Sequence, residues 1–302
     1  MLLENQIAAN ERNTYLLVGL ITLLLVALGA VVGYLIETPI AGIVIALVVA
    51  VGVSVATYYG GGDMILNFSH ARSIEKSDHP QLFNVVEELS IAAGVPMPRV
   101  YVIDDESPNA FATGRDPEHA AVAITTGLLE KLDRDELQGV MAHELAHVRN
   151  RDILLSMMVG VLAGTIVLVA DAVTRSLFWS RGGRAARGGR DKGAGGVVLI
   201  VIGIVLAILA PLFARMIQFS VSRQREYLAD ASAVELTRYP EGLASALEKL
   251  GSDEGELEAA NRATAHLYIV SPFKAKRRAE MNSVFDTHPP LDERIKRLRA
   301  MT

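Results

Sequence analysis

The sequence predicts a mostly helical α+β protein that is held in a membrane by about four transmembrane helices. Of its 302 residues, 51% are apolar, and the mean hydropathy is +0.31, which is high for a soluble protein. Four long apolar runs account for this excess. Short β-rich segments that alternate with helical patterns between these runs predict a small sheet packed against helices.

The first two apolar runs predict an N-terminal transmembrane hairpin over residues 1–60. Tyr15–Ile36 contains 22 residues and Ile40–Tyr59 contains 20, and neither run holds a charge. About 20 apolar residues cross the hydrocarbon core of a bilayer as a helix. Glu37-Thr-Pro39 predicts a tight turn between the two helices. The first run is too long for a cleavable signal, and a second span follows it directly.

Two further apolar runs predict a third and a fourth span within residues 153–217. They are Ile153–Val173, which contains Asp171, and Val197–Ala214, which contains Pro211. Because each run is short or interrupted, a pair of buried helices in a soluble fold is the alternative. In that case the hairpin alone anchors the chain. Both interpretations describe a membrane protein in contact with the lipid bilayer.

The distribution of basic residues predicts which parts of the chain face the cytoplasm. The turn at 37–39 has no Lys or Arg, whereas segment 60–152 has four of them near its ends, so segment 60–152 is predicted to be cytoplasmic. The glycine-rich loop 174–196 is also basic, which conflicts with a path across the membrane and back. Either this loop is translocated despite its charge, or the third and fourth runs are not spans. The basic residues of the loop are Arg175, Arg181, Arg184, Arg187, Arg190 and Lys192.

The segments 61–152 and 218–302 predict one small α+β domain in two parts. Its strands are recognised by β-branched and alternating residues, and its helices by a period near 3.6 between turn signals. The predicted strands are Arg99–Ile103, Asn109–Gly114 and Ala120–Thr125. The predicted helices are His79–Ala93, one from Leu128, Asp133–Arg151, Ser222–Leu236, Glu241–Leu250, one near Glu256–His266, and Leu291–Arg299.

Residues 143–147, His-Glu-Leu-Ala-His, are the most informative motif in the chain. On a helix, His143 and His147 project from one face, one turn apart, where two neutral imidazoles can bind one zinc ion. Glu144 lies next to the first ligand and can act on a metal-activated water as general base. Asp133 or Asp135 can cap the start of this helix. The alternative is a pair of solvated histidines on a helix face.

A hydrolytic zinc site needs a third protein ligand, and Glu226 is the candidate. Asp230 follows four residues later on the same predicted helix face, where it can accept the free ring N–H of a zinc histidine. Arg223 and Arg225 flank Glu226 and can hold these carboxylates or a substrate carbonyl. The alternatives are a surface glutamate and solvated helix charges.

Composition narrows the chemistry further. The chain has no cysteine, so disulfides and thiolate ligands are excluded, and a metal site must use imidazole and carboxylate groups. The net charge of −5 argues against nucleic acid as a partner.

Four motifs in this order, among apolar runs, resemble the HtpX membrane zinc metalloproteases, a heat-shock-linked family related to the prenyl-protein peptidases that act on CAAX termini. The resemblance implies a gluzincin-like protease domain and one Zn²⁺ per chain, bound by His143, His147 and Glu226, with Glu144 as base. It also implies a cytoplasm-facing site in a prokaryotic plasma (inner) membrane, and a role in proteolytic quality control of damaged or misfolded membrane proteins. The motifs are Asn109-Ala-Phe-Ala-x-Gly114, His143-Glu-x-x-His147, Ser222-Arg-x-x-Glu226-x-x-Ala-Asp230 and Thr287-His-Pro-Pro290.

The predicted substrates are polypeptides, in particular membrane proteins, and a strand near the site is the candidate for holding them. The residues Asn109, Ala110, Phe111 and Ala112 are predicted to form an edge to which a peptide adds as a further strand. An ordinary structural strand is the alternative. His288 is a candidate donor to the developing oxyanion, or else a residue of the proline turn.

Two other functions share some of these features. A CAAX-type prenyl-protein peptidase uses the same motifs, and a non-catalytic membrane scaffold with a residual metal motif would tolerate loss of Glu144. An intramembrane protease carries the motif inside an apolar span, whereas here charged residues flank it on both sides. The short distance from the motif to the third apolar run predicts a zinc site near the membrane surface.

Overall fold

The computed structural model describes residues 3–35, 37–161, 223–253, 255, 257, 264–270 and 289–301. The predicted loop 174–196, the fourth apolar run and the larger part of the third lie outside the described residues.

The chain begins with two long antiparallel helices, α1 (Leu3–Leu35) and α2 (Pro39–Phe68). The predicted turn between them is confirmed, since Glu37 adopts a left-handed φ of 62° and Pro39 starts α2. Small residues let the helices touch, because a Cβ added to Gly42 would lie 2.2 Å from the carbonyl oxygen of Gly29.

Helix α2 has the properties of a membrane span. Its apolar window has a mean hydropathy of 2.6, and only 11% of that window is buried inside the protein. Within the described ranges α2 alone meets both the length and the hydropathy of a span. The predicted number of about four spans therefore remains a prediction.

The four-stranded sheet has the order β1-β2-β4-β3, in which β2 and β4 are parallel and the other pairs antiparallel. The bounds of the three predicted strands are confirmed to within two residues. Strand β1 has too few residues to be predicted from alternation. The strands are β1 (Arg72–Ser73), β2 (Arg99–Ile103), β3 (Ala110–Thr113) and β4 (Ala121–Thr125).

The two faces of this sheet bury different partners. Val122 and Ile124 of β4 belong to the larger core, which includes helices α3 (Pro80–Ala93) and α5 (Arg134–Arg149). The alternate residues, Ala121 and Ala123, belong to a second core that includes the end of α2. The sheet therefore lies between the helix that carries the histidine motif and the membrane hairpin.

A capping box fixes the start of α5. The Asp133 carboxylate accepts from the backbone N–H groups of Asp135 and Glu136, while Glu136 accepts from the N–H of Asp133 at 2.9 Å. Of the two predicted caps, Asp133 is confirmed. The carboxylate of Glu136 is also 2.6 Å from Ser245 and 2.6 Å from Lys249, which tie α5 to a later helix.

Five further helices lie in the described part of the chain, and two of them, over Arg223–Thr237 and Pro240–Ser252, pack against α5. The predicted helix near Glu256–His266 is replaced, in its described part, by a single 3₁₀ turn at Ala265–Leu267, and most of the rest lies outside the described residues. The helices are α4 (Thr126–Lys131), α6 (Asp152–Val161), α7 (Arg223–Thr237), α8 (Pro240–Ser252) and α9 (Leu291–Arg299).

Candidate metal centre

Helix α5 presents both histidines of the motif toward the protein interior. His143 is 1% exposed, and the Nε2 atoms of His143 and His147 are 3.2 Å apart. Their four-residue spacing places them on one helix face, as the period of an α-helix requires.

Helix α7 packs against α5 and brings Glu226 to the same point. One carboxylate oxygen lies 3.7 Å from the Nε2 of His143, and the other lies 3.7 Å from the Nε2 of His147. One candidate ligand atom from each of the three residues lies within 4.8 Å of the other two. The structure thus brings together three side chains from two stretches that are about 80 residues apart in sequence.

The hydrogen bonds of the two imidazoles test whether this group suits a metal. The Nδ1 of His143 is 3.0 Å from Asp230, and the Nδ1 of His147 is 3.1 Å from Asp152, so each Nδ1–H donates to a carboxylate. Each Nε2 then presents a lone pair. The two Nε2 atoms are 3.2 Å apart and face a carboxylate, so they can share either a proton on one Nε2 or a metal cation between them. Nitrogens bound to tetrahedral zinc at about 2.0–2.1 Å lie about 3.3 Å apart, so the set fits zinc.

Burial and neighbouring charges shift the pKa values of the two histidines in opposite directions. Burial lowers the pKa of His143 to about 4, against the effect of its hydrogen bond to Asp230. For His147, burial acts in the same direction, but the hydrogen bond to Asp152 and the charge of Glu226 outweigh it and raise the pKa to about 9. His143 is therefore already neutral at neutral pH, whereas His147 must lose a proton to solvent before it can bind a metal.

Glu144 lies beside the ligands with a perturbed acidity of its own. It is 2% exposed, and burial raises its pKa to about 7. The charge of His147 and a hydrogen bond from the Ala112 backbone oppose this rise, and the charge of Glu226 adds to it. A carboxyl group with a pKa near 7 can both take up and return a proton at neutral pH.

The model of peptidase family M48 matches residues 76–302 of this sequence. The chain belongs to peptidase family M48. It is 45% identical to a protease HtpX homolog of Lactobacillus helveticus over 302 residues, covering 99% of this chain and 100% of that protein. It is 46% identical to a protease HtpX homolog of Dictyoglomus thermophilum over 296 residues, covering 98% and 93%.

The crystal structure of S. mikatae Ste24p shares the fold, with a TM-score of 0.52 and 18% identity, covering 97% of this chain and 66% of that one. The resemblance to the HtpX family predicted from the motifs is confirmed. This M48 protein is a membrane metallopeptidase, and its family membership implies a metal.

A buried arginine supports the ligands of the M48 site. Arg294 of α9 is 0% exposed, and its guanidinium lies 2.7 and 2.9 Å from the two oxygens of Asp230 and 3.5 Å from Glu226. Burial alone would raise the pKa of Asp230, but Arg294 and the hydrogen bond from His143 hold it below its usual range. Asp230 therefore accepts hydrogen bonds from His143, as predicted, and from Arg294, which was not predicted.

Arg223, one of the two arginines predicted to hold these carboxylates, is exposed at the first described turn of α7. Arg225, the other, lines the site cavity, because helix geometry turns it toward α5 and α6. Arg294 supplies the direct contact. The other predicted catalytic residue, His288, lies outside the described residues.

A cavity of about 30 Å³ opens beside the ligands, enough for a water beside an ion. Of the residues predicted to bind substrate, Ala112 lines it. The backbone N–H and C=O groups of Ala110 and Ala112 point to the outer edge of β3, since those of the residues that alternate with them point toward β4.

The other three predicted substrate residues have structural contacts instead. The side-chain amide of Asn109 donates to the carbonyl of Val270 at 2.9 Å, and the carbonyl of Ala110 accepts from the N–H of Ile269 at 3.0 Å. Phe111 points to the opposite face and packs edge-on against Tyr268 at 5.0 Å. A segment distant in sequence therefore covers that part of the edge, and substrate binding by these three residues stays a prediction.

Proposed function

We propose that this M48 protein is a zinc-dependent endopeptidase that hydrolyses peptide bonds of misfolded or damaged membrane proteins, with its site facing the cytoplasm. The observation that carries the proposal is the convergence of His143, His147 and Glu226 within 4.8 Å, next to a buried Glu144. A set of two histidines and one glutamate leaves one position of a tetrahedral zinc open for water, which is the pattern of hydrolytic zinc sites.

Each side chain of the site has a distinct role in this mechanism. His143, His147 and Glu226 hold the metal, and Asp230 and Asp152 fix the tautomers of the two imidazoles. A zinc ion held by these residues would supply Lewis acidity, which would polarise a peptide carbonyl and make water more acidic. Glu144 takes the proton from the attacking water and returns it to the leaving amine. The pKa of Glu144 near 7 supports both transfers at neutral pH.

The outer edge of β3 supports recognition of an extended backbone. The backbone of Ala112 faces the cavity at the point where Glu144 lies. A peptide that adds there is recognised by its main chain more than by its side chains, which suits varied substrates. Such a peptide must be extended and have a free edge, because a strand that is paired on both sides in a sheet has no backbone groups left to offer.

The position of the site relative to the hairpin supports membrane proteins as substrates. The sheet beside the site packs on Ile65 and Leu66 at the end of α2. Asp152, which contacts His147, is the first residue of the apolar helix α6. The basic residues at the ends of segment 60–152 favour a cytoplasmic location, and we propose the plasma membrane of a prokaryote.

Metal removal tests this function. The protein purified in detergent with zinc is expected to cleave a loosely folded membrane protein, and a chelator should abolish cleavage because Glu144 then has no activated water to act on. Added zinc should restore the rate, as measured by the appearance of new peptide termini. Full cleavage after metal removal would contradict the proposal, and equal cleavage of a stably folded membrane protein would contradict the quality-control role.

A further inference from the structure

The first turns of α1 contain a buried polar residue that contacts the metal centre indirectly. Asn10 precedes the apolar part of α1 and is 5% exposed. It also lies outside residues 76–302, the region that matches the M48 family. A buried amide away from water needs hydrogen-bond partners, and those of Asn10 lie about 140 residues away in sequence.

The amide group of Asn10 extends the contacts of one candidate metal ligand. Its Nδ2 donates to Oδ1 of Asp152, while the other carboxylate oxygen of Asp152 is 3.1 Å from Nδ1 of His147. One oxygen is thus held by the amide and the other by the imidazole. Rotation of the Asp152 carboxylate is restricted, and so is the orientation of the His147 ring.

The same amide also contacts the end of α5 and a side chain of α7. Its Nδ2 lies 3.1 Å from the carbonyl of Asn150, the C-cap residue of α5, and its Oδ1 lies 3.5 Å from the guanidinium of Arg225 on α7. Arg151, between Asn150 and Asp152, has a left-handed φ of 56°, which is costly for a residue with a side chain. Asn10 therefore stabilises the turn that places Asp152 beside His147.

From these contacts we infer that Asn10 is a positioning residue for the metal site, acting through Asp152 on His147. This inference rests on the proposed zinc site. It makes the segment before the first span a part of the catalytic unit and not only a membrane anchor. Replacing a residue that hydrogen-bonds to a zinc ligand typically lowers metal affinity or activity by about 10–100-fold. Because Asn10 is one hydrogen bond further from the metal, we expect the lower end, about tenfold.

Replacement of the amide donor tests the inference. Asn10→Asp keeps the shape but removes both N–H donors, and Asn10→Ala removes the group. Each is expected to weaken zinc binding about tenfold in chelator competition, and to alter the visible spectrum of the cobalt-substituted protein. Asn13→Asp is the matched control, because Asn13 is exposed on the same helix. This variant should bind zinc with the affinity of the wild-type protein.

A double-mutant cycle separates positioning from general stability. In an Asp152→Ala background, Asn10→Ala is expected to cause no further loss of zinc affinity, because its route to His147 is already broken. An equal loss in both backgrounds would overturn the inference, as would wild-type affinity and spectrum in the Asn10 variants. A wild-type protein that binds no zinc would overturn the proposed function as well, so the two failures are distinguishable.

Discussion

Replacement of Glu144 by Gln is expected to lower the rate of peptide hydrolysis by about 10²–10⁴-fold while zinc remains bound. The amide has the shape of the carboxylate but cannot accept a proton from water. Since His143, His147 and Glu226 are unchanged, the metal should stay at full stoichiometry. The turnover number and the metal content of the same preparation measure the two halves of this prediction.

The matched control is Glu130→Gln, which removes the same charge from an exposed position on α4. It should leave both rate and zinc content at wild-type levels. A Glu144→Gln protein that cleaves at the wild-type rate would remove Glu144 from the role of base. A variant that loses its zinc would instead point to a structural role for this buried carboxyl group.

Replacement of Arg294 by Ala is expected to destabilise the protein by about 3–5 kcal/mol, because it leaves a buried charge without its partner. Asp230 loses two hydrogen bonds, of 2.7 and 2.9 Å, to the guanidinium. The pKa of Asp230 should rise, so its carboxylate becomes a weaker partner for His143. We therefore expect a lower melting temperature of the purified protein together with weaker zinc binding.

Lys296→Ala on the same helix is the control for this variant. Lys296 is exposed on α9, where a surface charge contributes little to stability. Its melting temperature and zinc affinity should stay close to those of the wild type. If Arg294→Ala behaved like this control in both measurements, the guanidinium would not support the metal ligands.

Local patterns predicted most of the described fold. The start of α5 follows from the capping residues Asp133 and Glu136, and β2 follows from alternation over five residues. The candidate metal ligands could be found because a helix fixes the spacing of His143 and His147. Strand β1 has two residues, which is too few for any periodicity.

The residues that support the site could be found less easily, because their partners are distant in sequence. Arg294 did carry a signal, since it falls on the apolar stripe of α9 formed by Leu291, Ile295 and Leu298, where a charge must be paired. Asp152 is indistinguishable from an ordinary helix cap. Asn10 sits in a polar stretch in which nothing local marks it as buried.

The proposed function depends on a single ion bound between α5 and α7, and zinc analysis of the purified protein tests this most directly. We predict one zinc per wild-type chain, and a loss of affinity of more than about a hundredfold in Glu226→Ala, beyond the range of outer-partner changes. Glu235→Ala, an exposed change on the same helix, should retain the metal. Full zinc content and affinity in Glu226→Ala would contradict the proposed metal centre.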